Sequence, residues 1–158
     1  MKRLKETEKA YYAGLLDGEG CIIISKNRGN PKWHTPNIFY YLEVCISNTN
    51  IDILKELKSI FGGSVTLHKD YKSPLRRRDV YRWRVVCQKA MHFLETVLPY
   101  LRIKRKQAEL AIEFQKEISS HKFWRGVGKE LPKEERERRE RLYLLMKKLN
   151  ERGRRQNI

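Results

Sequence analysis

Cysteine is scarce: the 158 residues contain three, Cys21, Cys45 and Cys87, with no CxxC spacing. Each lies in an apolar, strand-like run, which argues against a structural disulfide or a zinc site and for reduced core or sheet residues of an intracellular protein. Long hydrophobic runs are missing as well. No uninterrupted apolar stretch approaches the roughly 20 residues that span a bilayer. No signal-peptide h-region opens the chain, so the expectation is a soluble, non-secreted protein without membrane contact. Acidic residues are the third shortage. Against 35 Lys and Arg stand 19 Asp and Glu, a formal net charge of +16 that makes phosphate the expected counter-charge. Ribosomal, RNA-binding and membrane-surface proteins can be as basic, so charge selects a partner class and not an activity. The length suits one domain with a real core. The expected division is a core domain over 1–120 and a basic helical extension over 121–158.

The most informative stretch is Tyr11-Tyr12-Ala13-Gly14-Leu15-Leu16-Asp17-Gly18-Glu19-Gly20, an apolar helix that runs into carboxylates set among glycines. Gly14 and Gly18 share one helix face, where a partner helix can come nearer than the usual roughly 8–10 Å. Glycine within a helix costs about 0.5–1 kcal/mol relative to alanine, and close contact is the expected compensation. Gly18 or Gly20 should take the left-handed geometry that ends a helix, leaving Glu19 at the exit. A Gly-rich helix end with plain surface carboxylates is the competing reading.

After the helix, at about 7–18, Cys21 to Ser25 is short and β-branched, a strand signature. Residues 27–37, with Gly29, Pro31 and Pro36, read as a loop. Phe39 to Ser47 alternates, and should bury Tyr40, Leu42, Val44 and Ile46 while turning Phe39, Tyr41, Glu43 and Cys45 the other way. Asn50 or Asp52 can cap a helix carrying Ile53, Leu54, Leu57 and Ile60, which Gly62-Gly63 stops. Strands at Ser64 to His68 and Val80 to Cys87 follow, with Val65 and Leu67 suited to the core. A helix at about 89–98 then carries Phe93, Leu94, Val97 and Leu98 up to Pro99, and another spans about 103–118. Phe123 and Trp124 should pack on the domain. A last helix over 134–150 puts Leu142, Leu145, Met146 and Leu149 on one stripe, before a tail with Arg152, Arg154 and Arg155. The order αββαββα predicts an α+β domain whose four-stranded antiparallel sheet packs one face on helices and leaves the other free.

Ala13-Gly14-Leu15-Leu16-Asp17-Gly18-Glu19-Gly20 resembles the motif of the LAGLIDADG homing endonucleases, with Glu19 where aspartate is commoner. The resemblance covers about residues 8–118, although only the first helix is a tight motif. It implies a saddle-shaped sheet lying along the major groove of double-stranded DNA. It also implies paired motif helices whose second acid binds a divalent metal, Mg2+ or Mn2+, with Glu19 and the Gly18 carbonyl as ligands and Asp17 ranked second, as a structural cap. One motif supplies one such acid and no second motif occurs, so a C2 homodimer is expected. Tyr11, Ala13, Gly14, Leu15, Asp17 and Gly18 would form its interface. Such a dimer would cut one strand per subunit of a long, roughly palindromic duplex, leaving short 3′ overhangs by resemblance. Tyr100 to Ala108 is similar to the family's L-x-x-K-x-x-Q region. That makes Lys104 a candidate to stabilise the transition state or polarise the attacking water. Asn48, where the second strand ends, lies near a position at which members carry a polar, often Gln, side chain that orients water.

On this frame, alternate sheet positions face the groove, where each base pair has its own donor and acceptor pattern. The candidate DNA contacts are Ser25, Asn27, Arg28, Asn30, Lys32, Trp33 and His34 at the first strand and its loop, then Tyr41 and Glu43 on the second. Thr66 and His68 on the third strand and Arg82 and Arg84 on the fourth complete the set. The two arginines stand out, since a guanidinium can bind guanine O6 and N7 together; solvated charge is the alternative. Lys72, Arg76, Arg77 and Arg78 crowd the loop before the fourth strand, where phosphate contacts would add salt-dependent affinity with little sequence preference. A one-residue bulge would turn the whole set to the other face. Two rivals stay open: a maturase that binds intron RNA, and a DNA-binding regulator that does not cut.

Overall fold

The computed structural model describes residues 4–28, 38–68, 79–120 and 131–151. In chain order the elements are α1 (Glu6–Glu19), β1 (Gly20–Arg28), β2 (Ile38–Asn48), α2 (Ile51–Phe61), β3 (Ser64–His68), β4 (Val80–Val86), α3 (Cys87–Val97), α4 (Arg105–Ser120) and α5 (Lys133–Asn150). A 3-10 turn at Leu98–Tyr100, holding Pro99, separates α3 from α4. No described helix is long and apolar enough to cross a membrane. The strands form one antiparallel sheet in the order β1-β2-β4-β3, so the architecture is α+β as the pattern predicts.

Local chemistry explains the boundaries. Glu8 Oε2 accepts the Lys5 N–H at 2.7 Å and, with Glu6, sets negative charge at the start of α1. The α2 cap is Asn50, whose side chain accepts from Asp52 N at 2.9 Å. Gly62 and Gly63 stop that helix with φ of 76° and 87°. A Cβ on Gly63 would lie 2.3 Å from the Arg84 carbonyl oxygen, so only glycine lets the chain fold back onto β4 there.

Alternation on β2 follows the expected parity: Tyr40, Leu42, Val44 and Ile46 are buried. With Ile22, Ile24, Trp83 and Val85 they make the helix-packed face. Trp83 donates to the Gly62 carbonyl at 2.8 Å, and its ring meets Phe93 edge-on at 5.0 Å, with Phe61 4.9 Å from Phe93. From α1 the core takes Tyr12, Ala13 and Leu16. On the edge strand β3, Val65 packs against this core, but Leu67 stays 42% exposed.

The final helix differs from its expected stripe. Met146 is buried in the same core, flanked by Leu142, Tyr143 and Leu149, whereas Leu145 is 44% exposed. Tyr143 sits where α5 meets the sheet, its ring 6.0 Å from that of Tyr40. Asn150 Nδ2 donates to the Ile22 carbonyl at 2.8 Å and Gln107 Nε2 to the Leu149 carbonyl at 3.1 Å, so the helix assigned to an extension is bonded to both β1 and α4. Phe123, Trp124, Arg152, Arg154 and Arg155 lie outside the described residues.

Candidate metal site and nucleic-acid interface

Neither Gly18 nor Gly20 takes the expected left-handed geometry at the end of α1. Gly18 is helical, Glu19 is the last helical residue, and Gly20 is extended with φ −100° and ψ 169°. Gly20 is needed for space instead: a Cβ there would lie 2.4 Å from Leu16 Cδ1 and 2.7 Å from the Leu16 carbonyl oxygen. β1 therefore starts where α1 ends, with no linker.

Asp17 and Glu19 leave this helix end with opposite commitments. Asp17 accepts the N–H groups of Arg102 at 2.9 Å, Ile103 at 3.2 Å and Lys104 at 2.9 Å. Burial works against its ionisation, but these three donors outweigh burial and hold the carboxyl below its ordinary range. Both oxygens being used within the chain, Asp17 acts as a clamp between the end of α1 and the turn into α4. Glu19 is exposed, and among the described residues no partner engages its carboxylate. The last donor returned to α1 is the Gly20 N–H, to Leu16 O, so the carbonyls of Asp17, Gly18 and Glu19 lie beyond the helical ladder. That of Asp17 accepts from the Lys104 ammonium, which brings Lys104 to the same helix end as Glu19.

Among the described residues no cluster of three or more His, Cys, Asp or Glu side chains could hold a metal. What one protomer offers at the α1 exit is a carboxylate, Glu19, and a carbonyl, Gly18. These are hard oxygen donors, and a small cation such as Mg2+ completes its shell with water and phosphate.

The exposed side of α1 carries Tyr11, 57% exposed, with Gly14 and Gly18, where an added Cβ would meet nothing within 4 Å. No close helix contact within the protomer compensates these glycines. Leu15 is half-buried at the border of that stripe. Ala13 is corrected: at 0% exposure it belongs to the protomer's own core and has no surface to offer a second copy.

Cross-strand pairing puts Ser25 opposite Tyr41, Glu43 beside Ile23, and Thr66 and Ser47 on either side of Arg82. One open face thus holds Ser25, Asn27, Tyr41, Glu43, Thr66, His68, Arg82 and Arg84, all nominated from alternation. Glu43 Oε2 accepts from Arg84 Nη2 at 2.8 Å and Ser25 Oγ at 3.1 Å, and Oε1 accepts from Cys45 Sγ at 3.2 Å. The Arg84 bond holds Glu43 below the usual carboxylate range despite burial, and the Glu43 carboxylate in turn raises Arg84 above its ordinary value. Arg82 instead meets a hydroxyl and an imidazole, donating from Nε to Ser47 Oγ at 3.4 Å with its Nη2 3.2 Å from His68 Nε2.

Two expectations shift. Asn48 does not join the open face: it shares the parity of Ile46, and its Oδ1 accepts the Asn50 N–H at 2.8 Å in the turn into α2. Ser47 is the polar residue that ends β2 on the open side, and counting on from Glu43 and Cys45 would have found it. Two cysteines are sheet residues and the third opens α3: all three are free, Cys21 is exposed opposite Cys45, and Cys45 and Cys87 are half-buried. Burial, then the neighbouring Glu43, pushes Cys45 up to about 12. Asn30, Lys32, Trp33, His34, Lys72, Arg76, Arg77 and Arg78, and the side chain of Arg28, lie outside the described residues.

A comparison with curated proteins finds no match. Among solved structures, the fold is similar to the homing endonuclease I-CvuI in complex with its target in the presence of calcium, with a TM-score of 0.69 at 21% identity over 96% of this chain and 87% of that one. It is similar, too, to the archaeal intron-encoded homing endonuclease I-Vdi141I complexed with DNA, with a TM-score of 0.69 at 18% identity over 97% and 90%. The homing endonuclease I-TnaI gives a TM-score of 0.60 at 20% identity over 94% and 97%. The sequence profile of the LAGLIDADG endonucleases matches residues 12–107, a span that holds the α1 exit, the whole sheet and Lys104. The chain belongs to the LAGLIDADG endonuclease family.

Proposed function

We propose that two copies of this chain form a C2 homodimer that binds a long, pseudo-palindromic DNA duplex and hydrolyses one phosphodiester in each strand with a divalent metal, and that the coding sequence lies in an intron. The observation that supports this reading most is the uncommitted Glu19 carboxylate at the end of a helix whose exposed face is cleared by Gly14 and Gly18. Crossing two such helices would bring both Glu19 residues to one axis, beside the two open sheet faces.

A bound divalent cation supplies charge neutralisation at the phosphate and a lowered pKa for the attacking water. Glu19 and the Gly18 carbonyl are the groups that would hold it. The Lys104 ammonium, which lies at the negative end of the α1 dipole, would attract the charge that develops on the phosphorus oxygens. Asp17 keeps that lysine in register by binding the Lys104 N–H. Ser47 is the nearer candidate than Asn48 for a polar group facing the duplex.

The test is incubation of the protein with a duplex carrying its host insertion site, in Mg2+ or in EDTA. Metal-dependent double-strand cuts by the wild type, with binding but no cuts by Glu19→Gln, are the expected result. Selective binding without cuts would favour a regulator, and preference for intron RNA would favour a maturase.

A further inference from the structure

Resting on the DNA-endonuclease reading, we propose that Glu43 is a positioning residue that fixes Arg84 as a guanine reader in each half-site, and that Glu43 itself contacts no base. An acid on a DNA-facing surface has two possible roles: it can accept from cytosine N4, or it can orient a neighbour. The first needs an exposed carboxylate with an oxygen to spare. Glu43 has neither, since its side chain is 12% exposed beneath an Arg84 side chain 41% exposed, and both of its oxygens already accept hydrogen bonds.

Arg84 is held from two sides. Nη2 is anchored on Glu43 at 2.8 Å, while the Tyr41 hydroxyl accepts from the same nitrogen at 3.3 Å and the Tyr41 ring lies 6.0 Å from Cζ. Among the described residues no neighbour engages Nη1 or Nε. The long Tyr41 contact is the one a base edge can displace, so a guanine would meet a fork already aimed. Pre-ordering removes the entropy cost that a long side chain otherwise carries into a complex. The buried carboxylate also cancels a charge that could be drawn to phosphate. Arg82 lacks both restraints, because its partners Ser47 and His68 supply no carboxylate. The two arginines of one strand therefore play different parts, with Arg84 reading one base pair sharply and Arg82 discriminating less.

The experiment selects duplexes from a randomised half-site pool with wild type, Glu43→Gln, Arg84→Lys and Arg82→Ala, and compares base preference position by position. Wild type should show a guanine preference at one base pair that Arg84→Lys reduces by roughly tenfold or more. Glu43→Gln should lose preference at that same base pair, with the other positions and the salt dependence of binding retained. Arg84→Lys keeps a cation above Glu43, so it reports on reading even if Glu43→Gln folds poorly. A selective wild type whose Glu43→Gln variant keeps the preference, loses it at a different base pair, or weakens uniformly on all sequences overturns this inference alone. A wild type with no preference among duplexes overturns the endonuclease reading and this inference with it.

Discussion

The two faces of the sheet come from the same four strands and obey different rules. On the helix-packed face, Ile22, Leu42, Val44, Ile46, Trp83 and Val85 are each at most 1% exposed, and their role is filled by volume. On the open face the residues between them, Glu43, Arg82 and Arg84, are held by directed bonds of 2.8 to 3.4 Å. Substitution on the first face should therefore unfold the chain, and substitution on the second, or at the helix exit beside it, should change what the folded chain does.

Trp83→Ala should show the largest effect, about 3–5 kcal/mol of stability read by urea unfolding, because it removes a fully buried ring and leaves the Gly62 carbonyl without its donor. Glu19→Gln should leave the unfolding curve in place yet slow DNA cleavage by about a hundredfold or more, equivalent to roughly 3 kcal/mol of barrier; an unchanged cleavage rate would remove Glu19 from the chemistry. Gly14→Leu sharpens the contrast from α1. The added side chain has open space in the protomer, so thermal stability should hold or rise, while sedimentation should show pairing weakened by about 1–3 kcal/mol. Full-strength dimers of this variant would place the interface elsewhere.

The smallest effect is on acid stability. Asp17 and Glu43 both have folded pKa values below their ordinary 3.8 and 4.5. A depressed carboxyl adds stability that is complete above its unfolded value and is lost as pH falls through the folded one. The unfolding midpoint should be flat above about pH 5 and decline below it, and Asp17→Asn or Glu43→Gln should flatten that decline.

What the sequence made legible is what short-range periodicity encodes. The parity of β2 was readable because aliphatic residues occupy 42, 44 and 46 while 43 is charged, and the same counting placed Thr66, Arg82 and Arg84 on the open side. Ala13 was misassigned because a small residue beside Gly14 looks alike whether it faces its own core or a second copy; only the roughly 100° between successive helix positions separates them. Asn48 is one residue out of phase with the open face that Ser47 shares, a difference that approximate alignment to a motif does not resolve. The Asp17 clamp joins residues 85 to 87 apart and the Glu43–Arg84 pair spans 41, separations that no local pattern carries. Leu145 was placed on the α5 stripe where Tyr143 belongs, because an apolar count along a helix does not say which neighbour it will meet.

In the proposed enzyme, the direct passage from Glu19 into Gly20 removes any hinge between blade and ruler. With a single peptide bond joining the cutting helix to the first reading strand, the offset between the scissile bond and the nearest inspected base pair would be set by how α1 packs on the sheet and not by a tether. Changing the length of the recognised site would then require altered strands or a shifted pairing of protomers, and no adjustable tether offers evolution a shortcut.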